Sequence, residues 1–192
     1  MRNNILDCIK NLCKICCGLP NTIIINKAEF ILPMKLKNLI VRNANIGDIK
    51  SIAKLGLQFL DVHSKYSPLD ELNGKRTLAK EINQWRKFLK DKSYFVMVAE
   101  INGNIVGFMT LKIVERDKMY KTRKLGEIEA VIVNKRYTYR GYGRALFAHA
   151  LKFLKSKNIG IVNINVRVGN PAISLAKKVG FKEYDTRLYK MI

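Results

Sequence analysis

The stretch Glu129-Ala-Val-Ile-Val133, followed after seven residues by Gly141-Tyr-Gly-Arg-Ala-Leu146, decides the fold of this chain. The first part is an apolar run typical of a strand, and the second part places two glycines where a helix begins. Glycine lets the main chain turn its N–H groups toward a ligand without a Cβ in the way. The helix, predicted from Arg144 to about Ser156, adds unpaired N–H groups and the positive end of its dipole. The pattern therefore predicts a seat for a phosphate or pyrophosphate group.

The remaining periodicity indicates an α/β fold with helices around a mixed sheet. Asn45, with Asp48 three residues later, is a good cap for a first helix, and Asn102-Gly103 is a strong hairpin signal. The predicted order is a strand at Leu39–Arg42, two helices, strands at Tyr94–Ile101, Asn104–Val114 and Glu127–Val133, the glycine-bearing helix, a strand at Ile161–Val166, a helix at Pro171–Val179, and a last hairpin of Phe181–Tyr184 with Arg187–Met191.

The length of 192 residues fits one domain, predicted at 34–192, preceded by an extension at 1–33. The net charge of +21 favours polyanionic partners such as CoA phosphates, nucleic acid or anionic lipid. The lysines are spread along the chain without a nucleic-acid-binding motif, so we attribute the charge mainly to lysine-rich composition. No apolar run reaches the roughly 18 residues that cross a bilayer. We expect a soluble, cytoplasmic protein that has no membrane partner.

All four cysteines lie in the extension, at Cys8, Cys13, Cys16 and Cys17. Their spacing resembles three ligands of an iron–sulfur loop, but the adjacent Cys17 is not the distant fourth ligand that such a loop needs. The alternative is an amphipathic helix in which the cysteines act as small hydrophobic residues. Translation from Met34 would remove the segment altogether. His63 and His149 lack metal-ligand spacing, so we predict no metal site.

Three signatures in order resemble the GNAT-type N-acetyltransferase superfamily over roughly Leu39 to Ile192. They are the strand and glycine loop quoted above, the stretch Val166-Arg-Val-Gly-Asn-Pro-Ala172, and the stretch from Leu175 through Gly180-Phe181. The resemblance implies the GNAT (acyl-CoA N-acyltransferase) fold, acetyl-CoA as co-substrate, and a homodimer as an open alternative. The family's phosphate loop fits in two registers, beginning at Thr138 or at Arg140, and we favour the first.

The resemblance also implies the residues that hold acetyl-CoA. Strands four and five splay apart in the family, and the main chain at that opening pairs with the pantetheine arm. In this chain the implied cofactor-binding residues are Val131, Ile132, Val133, Thr138, Tyr139, Arg140, Gly141, Tyr142, Gly143, Arg144, Asn170 and Ala172.

Acetyl transfer to an amine requires a group that removes a proton from the ammonium. Glu129 is the catalytic residue that the resemblance favours, and strand alternation places it on one face with Glu127, Val131 and Val133. The other interpretation of Glu129 is an ion pair with a neighbouring lysine or arginine. The family's usual tyrosine acid is replaced by Ala176, and Tyr139, Tyr184, Tyr189 or a water are the substitutes.

These observations predict an N-acetyltransferase that acts on a primary amine of a small molecule or protein by direct attack. Asp70 and Glu71, in the loop after the first helix, are candidates to attract a cationic amine. Ala176 and Thr138 also fit a catalytically silent acyl-CoA sensor. The charge leaves open an RNA-associated protein with an acetyltransferase fold.

Overall fold

The computed structural model describes residues 36–190. The four cysteines, the predicted extension and the alternative start at Met34 lie outside the described residues, as does Met191. None of the helices within residues 36–190 is long and apolar enough to cross a lipid bilayer.

Five strands form one mixed sheet within the described part of the chain. They are β1 (Leu39–Asn43), β2 (Tyr94–Ile101), β3 (Asn104–Glu115), β4 (Lys124–Val133) and β5 (Val162–Ile164). They lie side by side in chain order, and every pair is antiparallel except β4 with β5, which run parallel. The parallel pair is possible because a helix crosses between those two strands.

Helices cover both faces of the sheet. They are α1 (Ile49–His63), α2 (Leu78–Lys90), α3 (Tyr142–Ser156) and α4 (Ala172–Lys178). The side chains of α1 and α2 pack with Val96, Val98 and Phe108 on one face, and Ala130 and Ile132 of β4 join that cluster. On the other face, Leu154 of α3 lies against Gly126 of β4. The sheet is therefore the middle layer of three.

Local signals in the sequence correspond to the ends of most elements. The Asn45 side chain accepts the Gly47 N–H and Asp48 accepts the Asn45 N–H, which confirms the predicted cap before α1. Asn102 and Gly103 both have positive φ, as a two-residue hairpin requires. Gly180 ends α4 at φ +97°, and its N–H donates to the Lys177 carbonyl.

The predicted last hairpin is wrong over the described residues, because 181–190 contain no strand. Phe181 packs against Phe147 with ring centroids 5.7 Å apart. The residues beyond it, from Lys182 to Lys190, are exposed, including Tyr184 and Leu188. Without an apolar face to bury, the alternation in this segment gains nothing from pairing with the edge of β5.

Candidate active site

The glycine loop ends in a helix start without a side-chain cap. Gly141 stands before α3 with φ +89°, and no side chain of the described residues hydrogen-bonds to this end of the helix. The first helical hydrogen bond runs from Ala145 N to Gly141 O at 3.0 Å. The N–H groups of Tyr142 and Gly143 precede it, so they lie at the positive end of the helix dipole without an intrahelical acceptor. The residues present fit a pyrophosphate.

The two glycines of the loop have different roles. Gly141 is exposed and needs its positive φ, a conformation that a side chain disfavours. Gly143 is buried, and a Cβ at its position would lie 2.9 Å from Cδ2 of Leu175 in α4. Gly143 therefore permits close packing of two helices, while Gly141 permits the turn.

The loop residues before Gly141 are exposed and basic. Thr138 Oγ1 donates to the Lys135 carbonyl at 2.9 Å, so this side chain stabilises the loop itself. Tyr139 is 97% exposed with φ +60°, and the Arg140 guanidinium lies 5.9 Å from the ring centre of Tyr137. Exposed cations beside an uncapped helix start provide charge for an anionic ligand.

Strand β4 loses one neighbour halfway along its length. Its pairing with β5 covers only Gly126–Ile128, whereas its pairing with β3 continues to Val133. Asn134 N donates to Val106 O on the β3 side at 2.8 Å. Because main-chain groups alternate along a strand, the N–H and C=O of Val131 and Val133 face the open side, and those of Ile132 face β3. This opening leads to the glycine loop.

The loop after β5 reaches the same region. Asn170 Oδ1 accepts the Ala172 N–H at 2.9 Å, which holds the start of α4. The Asn170 carboxamide NH₂ is the group left to contact a ligand. The structure thus places Asn170 and Ala172 in a defined turn, while their predicted contact with a cofactor stays a prediction.

Glu129 is the extra residue of a β-bulge. Thr110 of β3 pairs with Ala130 and Leu111 pairs with Ile128, so no residue of β3 lies in register with Glu129. Bulges redirect side chains and are frequent beside active sites. The bulge also corrects the predicted face. Glu129 lies with Glu127 and Lys112 on the face of α1 and α2, and no longer with Val131 and Val133, because one additional residue reverses the alternation.

The Glu129 carboxylate forms an ion pair with Lys112. Lys112 Nζ lies 2.6 Å from Glu129 Oε1 and 3.4 Å from Glu127 Oε2, and the side chains of Lys112 and Glu129 are each 29% exposed. The hydrogen bond to Glu129 raises the pKa of Lys112 above its ordinary value, with burial opposing it. The interpretation of Glu129 as an ion-pair partner is therefore confirmed. That pairing does not test its catalytic role.

Asp70 is part of a long-range contact that the sequence did not reveal. Its carboxylate accepts two hydrogen bonds from Arg167, at 2.5 Å from Nε and 2.7 Å from Nη2, and His63 Nδ1 lies 3.4 Å away. These bonds to Arg167 lower the pKa of Asp70. Both carboxylate oxygens are used, so Asp70 does not offer a free charge to an amine. The contact joins the loop after α1 to the loop after β5.

The structure places Ala176 in a buried position on α4. The tyrosines predicted as substitutes for the usual acid are exposed, Tyr139 at 97%, Tyr184 at 89% and Tyr189 at 56%. An exposed tyrosine keeps no fixed geometry, so none of the three is positioned as a proton donor in this structure.

Residues 59–181 match the profile of the Acetyltransferase (GNAT) family. The chain therefore belongs to this family, and it is an acyltransferase of the N-acetyltransferase class. The chain is 31% identical over 161 residues to a protein from Sulfurisphaera tokodaii named N-alpha-acetyltransferase, covering 81% of this chain and 87% of that protein.

Solved structures show the same fold at low identity. A mutant of the BH1408 protein from Bacillus halodurans superimposes with a TM-score of 0.70 at 16% identity, covering 80% of this chain and 99% of its own. An aminoglycoside N-acetyltransferase in complex with CoA gives 0.64 at 14% identity, covering 80% and 94%. The GNAT fold predicted from the sequence is thus confirmed.

Proposed function

We propose that this protein transfers the acetyl group of acetyl-CoA to a primary amine. One observation carries the proposal: β4 separates from β5 directly beyond Ile128, next to Glu129, and its open main chain leads to the uncapped start of α3. Glu129, the main-chain groups on the open side of β4, and the anion-binding start of α3 thus follow one another along the chain. The GNAT family uses acetyl-CoA, which these features fit.

The cofactor-holding groups are the main chain of Val131 and Val133 and the N–H groups of Tyr142 and Gly143. Loop cations such as Arg140 balance the charge of the pyrophosphate. Acetyl-CoA supplies an acetyl thioester, whose thiol is released as the acceptor nitrogen takes its place. A strand N–H at the opening donates to the carbonyl oxygen, where negative charge collects.

Glu129 removes a proton from the acceptor's ammonium, directly or through water, so that the nitrogen lone pair is free to attack. Its place in the bulge turns it out of the regular strand, toward the side covered by α1 and α2. The acceptor therefore approaches on that face of the sheet, while the phosphates lie at the start of α3.

The acceptor class that we test first is the N-terminal amine of a protein, because the relative from Sulfurisphaera tokodaii is named N-alpha-acetyltransferase and a protein N-terminus is an α-amine. A panel would contain a peptide with a free N-terminus, an N-terminally blocked peptide with one lysine, spermidine and an aminoglycoside. Transfer would be read by mass spectrometry, since a thiol dye also reacts with the four cysteines.

Glu129→Gln should lower kcat by about 10²- to 10⁴-fold while the Kd for CoA, measured by calorimetry, stays unchanged. Glu115→Gln is the matched control, because Glu115 is an exposed glutamate at the end of the neighbouring strand and pairs with Lys124. Wild-type turnover in the Glu129→Gln variant would refute the assignment of the base. CoA binding without transfer to any amine would instead support an acyl-CoA sensor.

A further inference from the structure

Lys112 places an ammonium group at the carboxylate that the proposed function assigns to the acceptor's ammonium. Its Nζ lies 2.6 Å from Glu129 Oε1, within the range of a charge-assisted hydrogen bond. Glu127 Oε2 lies 3.4 Å from the same nitrogen. Lysine is charged at neutral pH, and the hydrogen bond to Glu129 raises the pKa of Lys112 further. Glu129 is thus occupied, in the free protein, by the chemical group that it is proposed to deprotonate.

The Lys112–Glu129 contact differs from the ion pair of Lys124 with Glu115, which also joins β4 to β3. Lys124 and Glu115 pair at 3.1 Å with side chains 58% and 69% exposed, as expected for a surface ion pair. Lys112 and its two glutamates are half-buried beside the bulge. Half-buried charges interact through less water, so the Lys112 contact is the stronger of the two.

Asn163 adds a second, independent sign of a missing partner on this face. It pairs with Glu127 in the parallel register of β4 and β5, so the two side chains are neighbours on the same side of the sheet. Its Oδ1 is buried and accepts no hydrogen bond from any described residue. Buried oxygens without a donor are rare in folded proteins, and an ammonium would supply one.

We propose that Lys112 is an internal competitor of the acceptor, whose ammonium must displace it from Glu129 before transfer. The inference rests on the proposed function and deepens it at the same site. An acceptor ammonium seated there contacts Glu129 and lies next to Glu127 and the Asn163 oxygen. Lys112 then swings toward solvent on its flexible stem, which a partly exposed lysine does at little cost.

The test compares Lys112→Met, which keeps the apolar stem and removes the charge, with Lys124→Met as the matched control. The measurements are the KM of the best acceptor in the panel, the inhibition constant of n-butylamine, and the Kd for CoA. Lys112→Met should lower the KM of the acceptor and the inhibition constant of n-butylamine about fivefold each, the effect of one modest ion pair. It should leave the Kd for CoA unchanged. Lys124→Met should change none of them.

An unchanged or raised KM in Lys112→Met would overturn the inference, and so would a fall in kcat at constant KM, which indicates a lysine that positions Glu129. Thermal unfolding checks that the variant is folded, and Lys112→Gln replaces it if it is not. These failures are separate from failure of the proposed function. The latter appears as wild-type turnover in Glu129→Gln, or as no transfer by the unaltered protein.

Discussion

The two halves of β4 differ in how their main chains are paired, although they belong to one strand. From Lys124 to Ile128 the strand pairs with β3 and, at Gly126–Ile128, also with β5. From Ala130 to Val133, its upper half, β3 is its one partner among the strands that the structure describes. The bulge at Glu129 separates the halves.

The difference shows how one strand serves both stability and ligand binding. The lower half of β4, from Lys124 to Ile128, is held by strands on both sides. Leu154, which is fully buried, also packs against it. On the open side of the upper half, the main-chain N–H and C=O groups have no strand partner among the described residues, and such groups are normally satisfied by a hydrogen-bonding partner. A ligand that adds hydrogen bonds along this edge would act as the missing strand.

Two glycines, Gly107 in β3 and Gly126 in β4 itself, allow each half to be disturbed separately. A Cβ at Gly107 would lie 2.7 Å from the Ile132 carbonyl oxygen, a main-chain atom of the upper half. A Cβ at Gly126 would lie 2.7 Å from Cδ1 of Leu154, the end of a flexible side chain. We expect Gly107→Ala to lower the free energy of unfolding by about 3 kcal/mol and Gly126→Ala by about 1 kcal/mol, because only the second obstacle can rotate.

Urea unfolding measures both free energies, and calorimetry measures the affinity of each variant for CoA. Gly107→Ala should weaken CoA binding, since it moves the open edge of β4, whereas Gly126→Ala should leave CoA binding unchanged. Equal losses of CoA affinity in the two variants would contradict the division of the strand.

Gly141→Ala tests the other end of the ligand path. The position has room for a methyl group, since the nearest atom to a Cβ is 3.7 Å away, but its φ of +89° disfavours alanine. We expect a loss of about 1–2 kcal/mol in the free energy of unfolding. CoA affinity should fall as well, because the turn that aims the N–H groups of α3 relaxes. A variant that loses stability but keeps CoA affinity would argue against the predicted phosphate seat.

Signals within a few residues predicted most of the fold. Asn45 with Asp48, Asn102-Gly103 and Gly180 mark ends of elements through their own side chains or φ angles, and the structure confirms all three. The predicted strand Glu127–Val133 began three residues late, since Lys124–Gly126 carry a charge and a glycine that weaken the strand signal.

Features that depend on distant residues were not predictable in the same way. Glu129 occupies a position that regular alternation explains equally well, so the bulge is visible only once β3 is aligned with β4. Asp70 and Arg167 are 97 residues apart, and nothing local to either residue announces the other. The last hairpin failed for the opposite reason: its local pattern suits strands, but the folded chain gives it no apolar surface to cover.

The Asp70–Arg167 pair holds the loop after β5, beyond the point where that strand separates from β4. The bonds to Arg167 lower the pKa of Asp70 in the folded protein, so their contribution is present above the unfolded pKa of about 4 and is lost as the pH falls through the lower folded value. Asp70→Asn should lower the free energy of unfolding by about 1 kcal/mol at pH 7. The difference from wild type should shrink below about pH 4, where Asp70 of the unfolded chain takes up a proton, and should vanish once Asp70 of the folded protein is protonated as well. Urea unfolding at pH 7, 5 and 3 measures this difference in the free energy of unfolding.

Asp61→Asn is the control, because Asp61 pairs with Lys65 on the surface with side chains 63% and 65% exposed. This variant should change the free energy of unfolding little at any pH. A difference between Asp70→Asn and wild type that stays constant down to pH 3 would mean that the carboxylate charge is not what fastens the two loops.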